Sequence, residues 1–320
     1  MIRKVVFALA AMMGLSLSGS ADAQTYPSKP IKIVVPLTPG SPVDVVGRLV
    51  GQHLSAALKQ PVIIENRPGA GATIGAKSVA SAEPDGYTLL HTAANHVIAP
   101  AAFKNLGYDP IGDFAPVGAT ATSPFVVVLT PTLPINNIPE LIAYAKANPG
   151  KLNWGFGLGT SPQLIGEMFK HITKADIASI PYKGGAQAVT DILGGQIHMN
   201  IGTTATVVPL VRSGKLRALA VIGEGRYRDL PDVPMMVESG IPLAFTFWGG
   251  FLAPKGTPAD VVQKLNTTLN EVLQTPELKE SMAKLGLDPK PGTPQQFADF
   301  LEAEKREWGN AVQVTGVKIE

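Results

Sequence analysis

The sequence predicts an α/β protein of two lobes, and three observations predict it. Strand-like and helix-like segments alternate nearly throughout, the pattern of largely parallel strands joined by crossover helices. The chain has 320 residues, enough for a large core and for two lobes. Two glycine loops, around Gly40 and across 155–160, each lead from an apolar strand into a Ser-Pro helix start.

The first strand is the run Ile31, Lys32, Ile33, Val34, Val35. A helix follows on Val45, Val46, Leu49, Val50, Leu54 and Leu58, with residues 36–44 between. There Ser41 reads as the N-cap, Pro42 as the first helical residue and Asp44 as the third position of a capping box. Such a start presents free N–H groups and a positive dipole end just past a strand end, which suits a carboxylate or phosphate. Further strands are expected over 61–65, 87–91, 126–129, 177–181, 197–201 and 216–222. Helices are expected over 73–82, 138–147, 161–171 and 186–193, and again just before 216. The C-terminal part reads as helical over 258–273, 276–285 and 294–312. Thr160-Ser161-Pro162 repeats Gly40-Ser41-Pro42 about 120 residues later. Two helix N-termini facing across a cleft would hold an acid at both ends; equally, Ser-Pro is a common way to begin a helix.

The N-terminus reads as a secretory signal peptide over 1–23. It has a basic start at Arg3 and Lys4, an apolar stretch to Leu17, and cleavage between Ala23 and Gln24. The apolar stretch is shorter than the ~20 residues a spanning helix needs. The chain has no cysteine, which excludes disulfides, thiolate nucleophiles, Cys-zinc sites and a lipid on cysteine. Net charge is +2, and removing Arg3, Lys4 and Asp22 leaves +1. No Lys/Arg run supports nucleic-acid binding, and no later apolar stretch is long enough to span a membrane.

Several motifs fail on inspection. The glycine loop over 69–78 resembles a phosphate loop, but Ala76 separates Gly75 from Lys77. Gly155, Gly157 and Gly159 lack the dinucleotide-binding spacing. No Gly-x-Ser-x-Gly elbow occurs after the leader. His91 and His96, five apart, do not share a helix face as a metal pair would. Asp44 has a sufficient role in the capping box, so it reads as structural rather than catalytic. Trp248 reads as core rather than cleft wall.

An ordered set of segments then resembles a known family. It begins at Tyr26-Pro27-Ser28-Lys29-Pro30-Ile31, with Pro39-Gly40, Asp44 and Arg48. It continues through Glu65-Asn66-Arg67-Pro68-Gly69-Ala70-Gly71 and Pro84-Asp85-Gly86-Tyr87-Thr88-Leu89-Leu90. Pro181-Tyr182-Lys183-Gly184, Leu193-Gly194-Gly195-Gln196 and Gly214-Lys215-Leu216-Arg217 follow, and Leu230-Pro231-Asp232-Val233-Pro234 comes late in the chain. The set resembles the Bug-type receptors, the extracytoplasmic solute-binding component of tripartite tricarboxylate transporters.

The resemblance implies a type II periplasmic binding protein: two α/β lobes around a ligand cleft, the first formed by 24–123 with 239–320 and the second by 124–238. It implies a periplasmic monomer without catalysis, cofactor or metal, binding a small organic acid through backbone N–H groups, hydroxyls and waters. The implied partners are a small and a large integral membrane subunit. Strand-end logic and the glycine loops place the ligand near Thr38, Gly40, Ser41, Thr92, Ala93 and Asn95 on one side. Phe156, Gly157, Thr160, Ser161, Thr203 and Thr204 are expected on the other. Four positions depart from the family's usual residues: Ser41 for Gly, Phe156 for Ser, Gln163 for His and His198 for Asp. A bulky Phe156 would shrink the pocket or favour an apolar ligand body. The rival functions are a same-fold receptor feeding a sensor kinase and an exported hydrolase.

Overall fold

A computed structural model describes residues 26–103 and 105–317. The leader and the cleavage position after Ala23 lie outside them. The first strand is β1 (Ile31–Val35), followed by α1 (Pro42–Leu58), β2 (Val62–Asn66), α2 (Thr73–Ala80), β3 (Thr88–Thr92) and α3 (Asn95–Ala102). β1 pairs in parallel with β2 and β3, and its near-continuous apolar sequence is that of a strand covered on both faces. Val43, Val46, Val50 and Leu54 of α1 cover one of those faces, at the i, i+3, i+4 spacing of a buried helical stripe.

The long strand β4 (Phe114–Leu129) joins the two halves. Its first part pairs with β9 (Thr246–Pro254) and, at Ala121 and Thr122, with β10 (Asp288–Pro289). Its last five residues pair instead with β7 (Met199–Thr203) and β8 (Arg217–Ile222). Beyond β7 lie β5 (Leu152–Gly157) and β6 (Ile177–Tyr182), giving the order β2-β1-β3-β9-β4-β7-β5-β6. Phe125, Val127 and Leu129 face the larger core, while Val126 and Val128 face a second cluster with Val207, Val208 and Leu216. That alternation is the two-residue period of a strand buried on both faces.

The helices of the second half are α4 (Ile138–Ala147), α5 (Ser161–Thr173), α6 (Gly185–Leu193) and α7 (Thr204–Arg212). The chain then returns through β9 to α8 (Ala259–Gln274), α9 (Pro276–Lys284) and α10 (Pro294–Thr315). α10 is fixed to β9 by Glu304, whose carboxylate accepts from the indole N–H groups of Trp248 and Trp308. Trp248 is fully buried core.

The structure corrects the expectation of largely parallel strands. Every pairing of β4 and of β9 is antiparallel, because the chain that links the halves crosses back between parallel outer units. β4 also extends twelve residues upstream of the expected start at 126. Pro116 and Gly118 are unusual inside a strand, and register shifts at 116–118 and 119–121 absorb the irregularity. β9, not anticipated from the sequence, carries Gly249-Gly250 within it. A side chain at Gly250 would sit 2.2 Å from the Phe297 ring, so the glycine lets that ring pack onto the strand. α3, with Pro100 inside it, is likewise absent from the sequence reading.

Candidate functional site

The ends of strands from both halves open onto one cavity, walled by the first turns of five helices among the described residues: α1, α3, α5, α6 and α7. Its volume is about 90 Å³. That is room for a small organic molecule rather than for a single water. Its two sides meet: a side chain built at Gly184 would lie 2.6 Å from Thr38 Oγ1, and one at Gly71 would lie 3.8 Å from Gly159 Cα.

Thr38, Ser41, Ala93 and Asn95 line the cavity from the first half. Phe156, Gly157, Thr160, Ser161 and Thr203 line it from the second. Gly40, Thr92 and Thr204 stand off its wall. The Gly40 N–H donates to Asp44 at 2.9 Å, Thr92 is fully buried beneath Asn95, and the Thr204 hydroxyl donates to the Gly286 carbonyl at 2.6 Å. The strand after 87 runs one residue further than expected, to Thr92, and Asn95 opens α3. The strand expected to end at Ile201 runs to Thr203, and Thr204 begins α7.

Sequence reasoning missed Lys183, Gly184, Gly185, Asn200, Phe125 and Phe247, all on the wall. The first three carry a signal that could have found them, since Tyr182-Lys183-Gly184-Gly185 is another strand–glycine–helix start. The two rings sit on the crossing strands, where their position depends on pairing distant in sequence.

The first Ser-Pro start folds as a tied loop. Gly40 takes φ +78°, a left-handed conformation that glycine adopts freely. Ser41 Oγ accepts from the Asp44 N–H at 3.3 Å, as an N-cap should. The reciprocal bond differs from the expected capping box: the Asp44 carboxylate takes the N–H of Gly40 rather than that of Ser41. The same carboxylate accepts from Arg48 Nε at 3.0 Å and from Asn66 Nδ2 at 2.8 Å. Burial raises the Asp44 pKa, but the bonds from Arg48, Gly40 and Asn66 outweigh it and hold the carboxyl below its ordinary range.

The second start differs. Thr160, not Ser161, is the N-cap residue, and its side chain makes no capping bond. The Thr160 hydroxyl donates instead to the Gly157 carbonyl at 2.7 Å, and Gln163 Oε1 accepts the Gly159 N–H at 2.8 Å. α6 and α7 also begin without a side-chain cap, at Gly184 and Thr203. These starts leave backbone donors unclaimed by capping side chains at a cavity wall, the arrangement that receives an anion.

No Asp or Glu stands among the described wall residues, and Lys183, exposed at the rim, is the charged one. Beneath α1 lies fully buried His91. Its Nδ1 faces the Val43 carbonyl at 3.0 Å and its Nε2 faces the Thr120 hydroxyl at 3.1 Å. A neutral ring donating to Val43 and accepting from Thr120 satisfies both. Burial pushes the His91 pKa down to about 4, against smaller opposing effects of the Val43 carbonyl and Asp44. His96 is also pushed to about 4 by burial and faces the Pro110 carbonyl at 2.7 Å, away from the cavity wall.

Of the four departures, Ser41 and Phe156 are on the wall and Gln163 holds the Gly159 loop behind it. His198 is remote from the wall, with Nδ1 2.7 Å from Asn153 Oδ1.

Comparison with known proteins follows the same lines. The model of the tripartite tricarboxylate transporter family receptor matches residues 46–317. Protein BugT of Bordetella pertussis is 37% identical over 313 residues, covering 97% of this chain and 95% of BugT. The solved structure of periplasmic binding protein BugD is 36% identical, with a TM-score of 0.86 over 92% of this chain and 99% of BugD. Rpa4515 of R. palustris, solved with adipate, is 32% identical, with a TM-score of 0.87 over 92% of this chain and 99% of that one.

Proposed function

The chain belongs to the tripartite tricarboxylate transporter receptor family, and we propose that it captures a small organic carboxylate in its cavity and delivers it to a tripartite tricarboxylate-type membrane transporter. The family is one of solute-binding receptors rather than enzymes. The observation that carries the reading is the wall itself: five helix N-termini and Lys183 around a cavity whose described lining has no acidic side chain. Helix N-termini place partial positive charge and N–H donors where a carboxylate can accept them. Rpa4515, a relative solved with adipate, holds an acid of this class.

In this reading Thr38 and Ser41 serve the ligand from one lobe, and Gly157, Thr160, Ser161 and Thr203 from the other. The first lobe comprises 24–123 with 239–320, and the second 124–238. Support for that division comes from β4, which changes pairing partners from β9 to β7 and β8 between Pro124 and Phe125. The contact of Thr38 with Gly184 corresponds to the closed form, which a membrane partner would recognise. The site of action is the periplasm, after removal of the leader, and the partners are the small and large membrane subunits.

Thermal unfolding against a panel of small acids, sugars and cations tests capture. An acid at 100 times its dissociation constant should add about 2.7 kcal/mol of stability. A panel in which sugars or cations raise the melting temperature and no acid does would sink the proposal. Delivery is tested by uptake of the identified acid in cells lacking either membrane subunit, where it should stop.

A further inference from the structure

We propose that the ligand is a monocarboxylate with a compact aromatic or apolar body, gripped along that body by Phe125, Phe156 and Phe247. The inference rests on the carboxylate reading above and narrows it.

Three phenyl rings from three strands meet the cavity, on β4, β5 and β9, and all are at least 95% buried. Phe156 is braced from behind by Trp154, with ring centroids 4.6 Å apart and planes at 33°. A braced ring presents a fixed apolar face, and another ring fits against such a face edge-on or offset. Leu37, Val189 and Ile201 extend the apolar wall.

Charge on the wall is sparse. Lys183 is the one charged side chain among the described lining residues, and it directly precedes the Gly184 start of α6 that touches Thr38. Lys183, Thr38 and two helix starts therefore gather on one side of the site, enough for one carboxylate. The starts of α5 and α7 leave further N–H donors on the wall but bring no second cationic side chain among the described lining residues, so a second buried carboxylate would lack a countercharge. The side-chain amides on the wall are already partly engaged: Asn200 Nδ2 donates to the Gly155 carbonyl at 2.8 Å, and Asn95 Nδ2 to Thr92 Oγ1 at 3.4 Å. What they retain suits a hydroxyl or carbonyl substituent, not a second full charge. A cavity of about 90 Å³ admits a small, compact acid.

The test is calorimetric titration of the full mature protein, freed of co-purified ligand by unfolding and refolding, with benzoate, phenylacetate, malate and adipate. One of the two aromatic acids should bind at least about tenfold tighter than both dicarboxylates, the scale on which an apolar pocket discriminates. Phe156→Ser should lose about tenfold for that acid while leaving malate and adipate unchanged or improved. Phe156→Leu, which keeps an apolar wall, should lose less. Malate or adipate binding wild-type protein as tightly as the aromatic acids overturns this inference and leaves the carboxylate reading standing. Binding of none of the four overturns this inference, and the wider thermal panel then decides the carboxylate reading. The wild-type comparison decides the matter even if a Phe156 variant does not fold.

Discussion

The two Ser-Pro helix starts share a sequence signature and differ in what their donors do. At the first, Ser41 caps α1, and the Asp44 carboxylate ties Gly40, Arg48 and Asn66 together. At the second, Thr160 and Gln163 turn their side chains to the loop backbone, and Ser161 begins α5 without a side-chain cap. One start is braced by its own side chains, and the other holds its loop in shape while leaving the helix end open toward the cavity. A helix start can thus serve as scaffold or as receptor, and the capping side chains decide which.

Acid gives the largest expected effect, and it falls on the braced start. His91 supports Val43 in the first turn of α1, and burial lowers its pKa from 6.5 to about 4. The unfolded chain therefore binds more protons than the folded one between those values, so stability is full above pH 6.5 and falls as pH drops toward 4. The loss reaches about 3 kcal/mol for His91, and His96 adds a similar one. Asp44, with its lowered pKa, adds its own loss only as pH falls below the unfolded carboxyl value of about 3.9 and on through the folded one. Urea titrations at pH 7 and pH 4.5 measure this; equal midpoints would contradict it.

Asp44→Ala comes next. It removes a buried acceptor of three donors and should cost about 2 kcal/mol of stability, read by denaturant unfolding at pH 7. A loss below about 0.5 kcal/mol would erase the contrast between the two starts.

Ser41→Ala should lower stability by about 1 kcal/mol through the lost cap. If the hydroxyl also touches ligand, affinity falls by a further 0.5–1.5 kcal/mol or so, measured calorimetrically. Ser161→Ala is the smallest in stability, within about 0.5 kcal/mol, because no cap is lost. Its effect should fall on affinity, by about 0.5–1.5 kcal/mol. A Ser161 variant that loses stability but not affinity would reverse the roles assigned to the two starts.

Much of the fold was legible locally. β1, α1 and the helix over Ile138–Ala147 follow from apolar periodicity and from Ser, Asn and Pro at their starts. The crossing strands were not. Pro116, Gly118 and Pro124 in β4 and Gly249-Gly250 in β9 look like loop residues until each strand has the other as its partner. In the site, Thr38, Ser41, Phe156 and Ser161 were legible from glycine loops after apolar runs. Phe125 and Phe247 were not, because nothing near them in sequence marks a cavity.

The alternation of strands and helices, the signatures of both Ser-Pro starts, the absence of cysteine and the family resemblance are local properties, because they depend on residues within a turn or two or on an ordered set of short motifs. The antiparallel course of β4 and β9 through the centre, the turn of Thr204 to Gly286 instead of the cavity, and the wall shared by three phenylalanines and Lys183 come from long-range packing. Those outcomes depend on which distant segments pair and pack. A hydrogen bond between Thr204 and Gly286, 82 positions apart, leaves no trace in either local sequence.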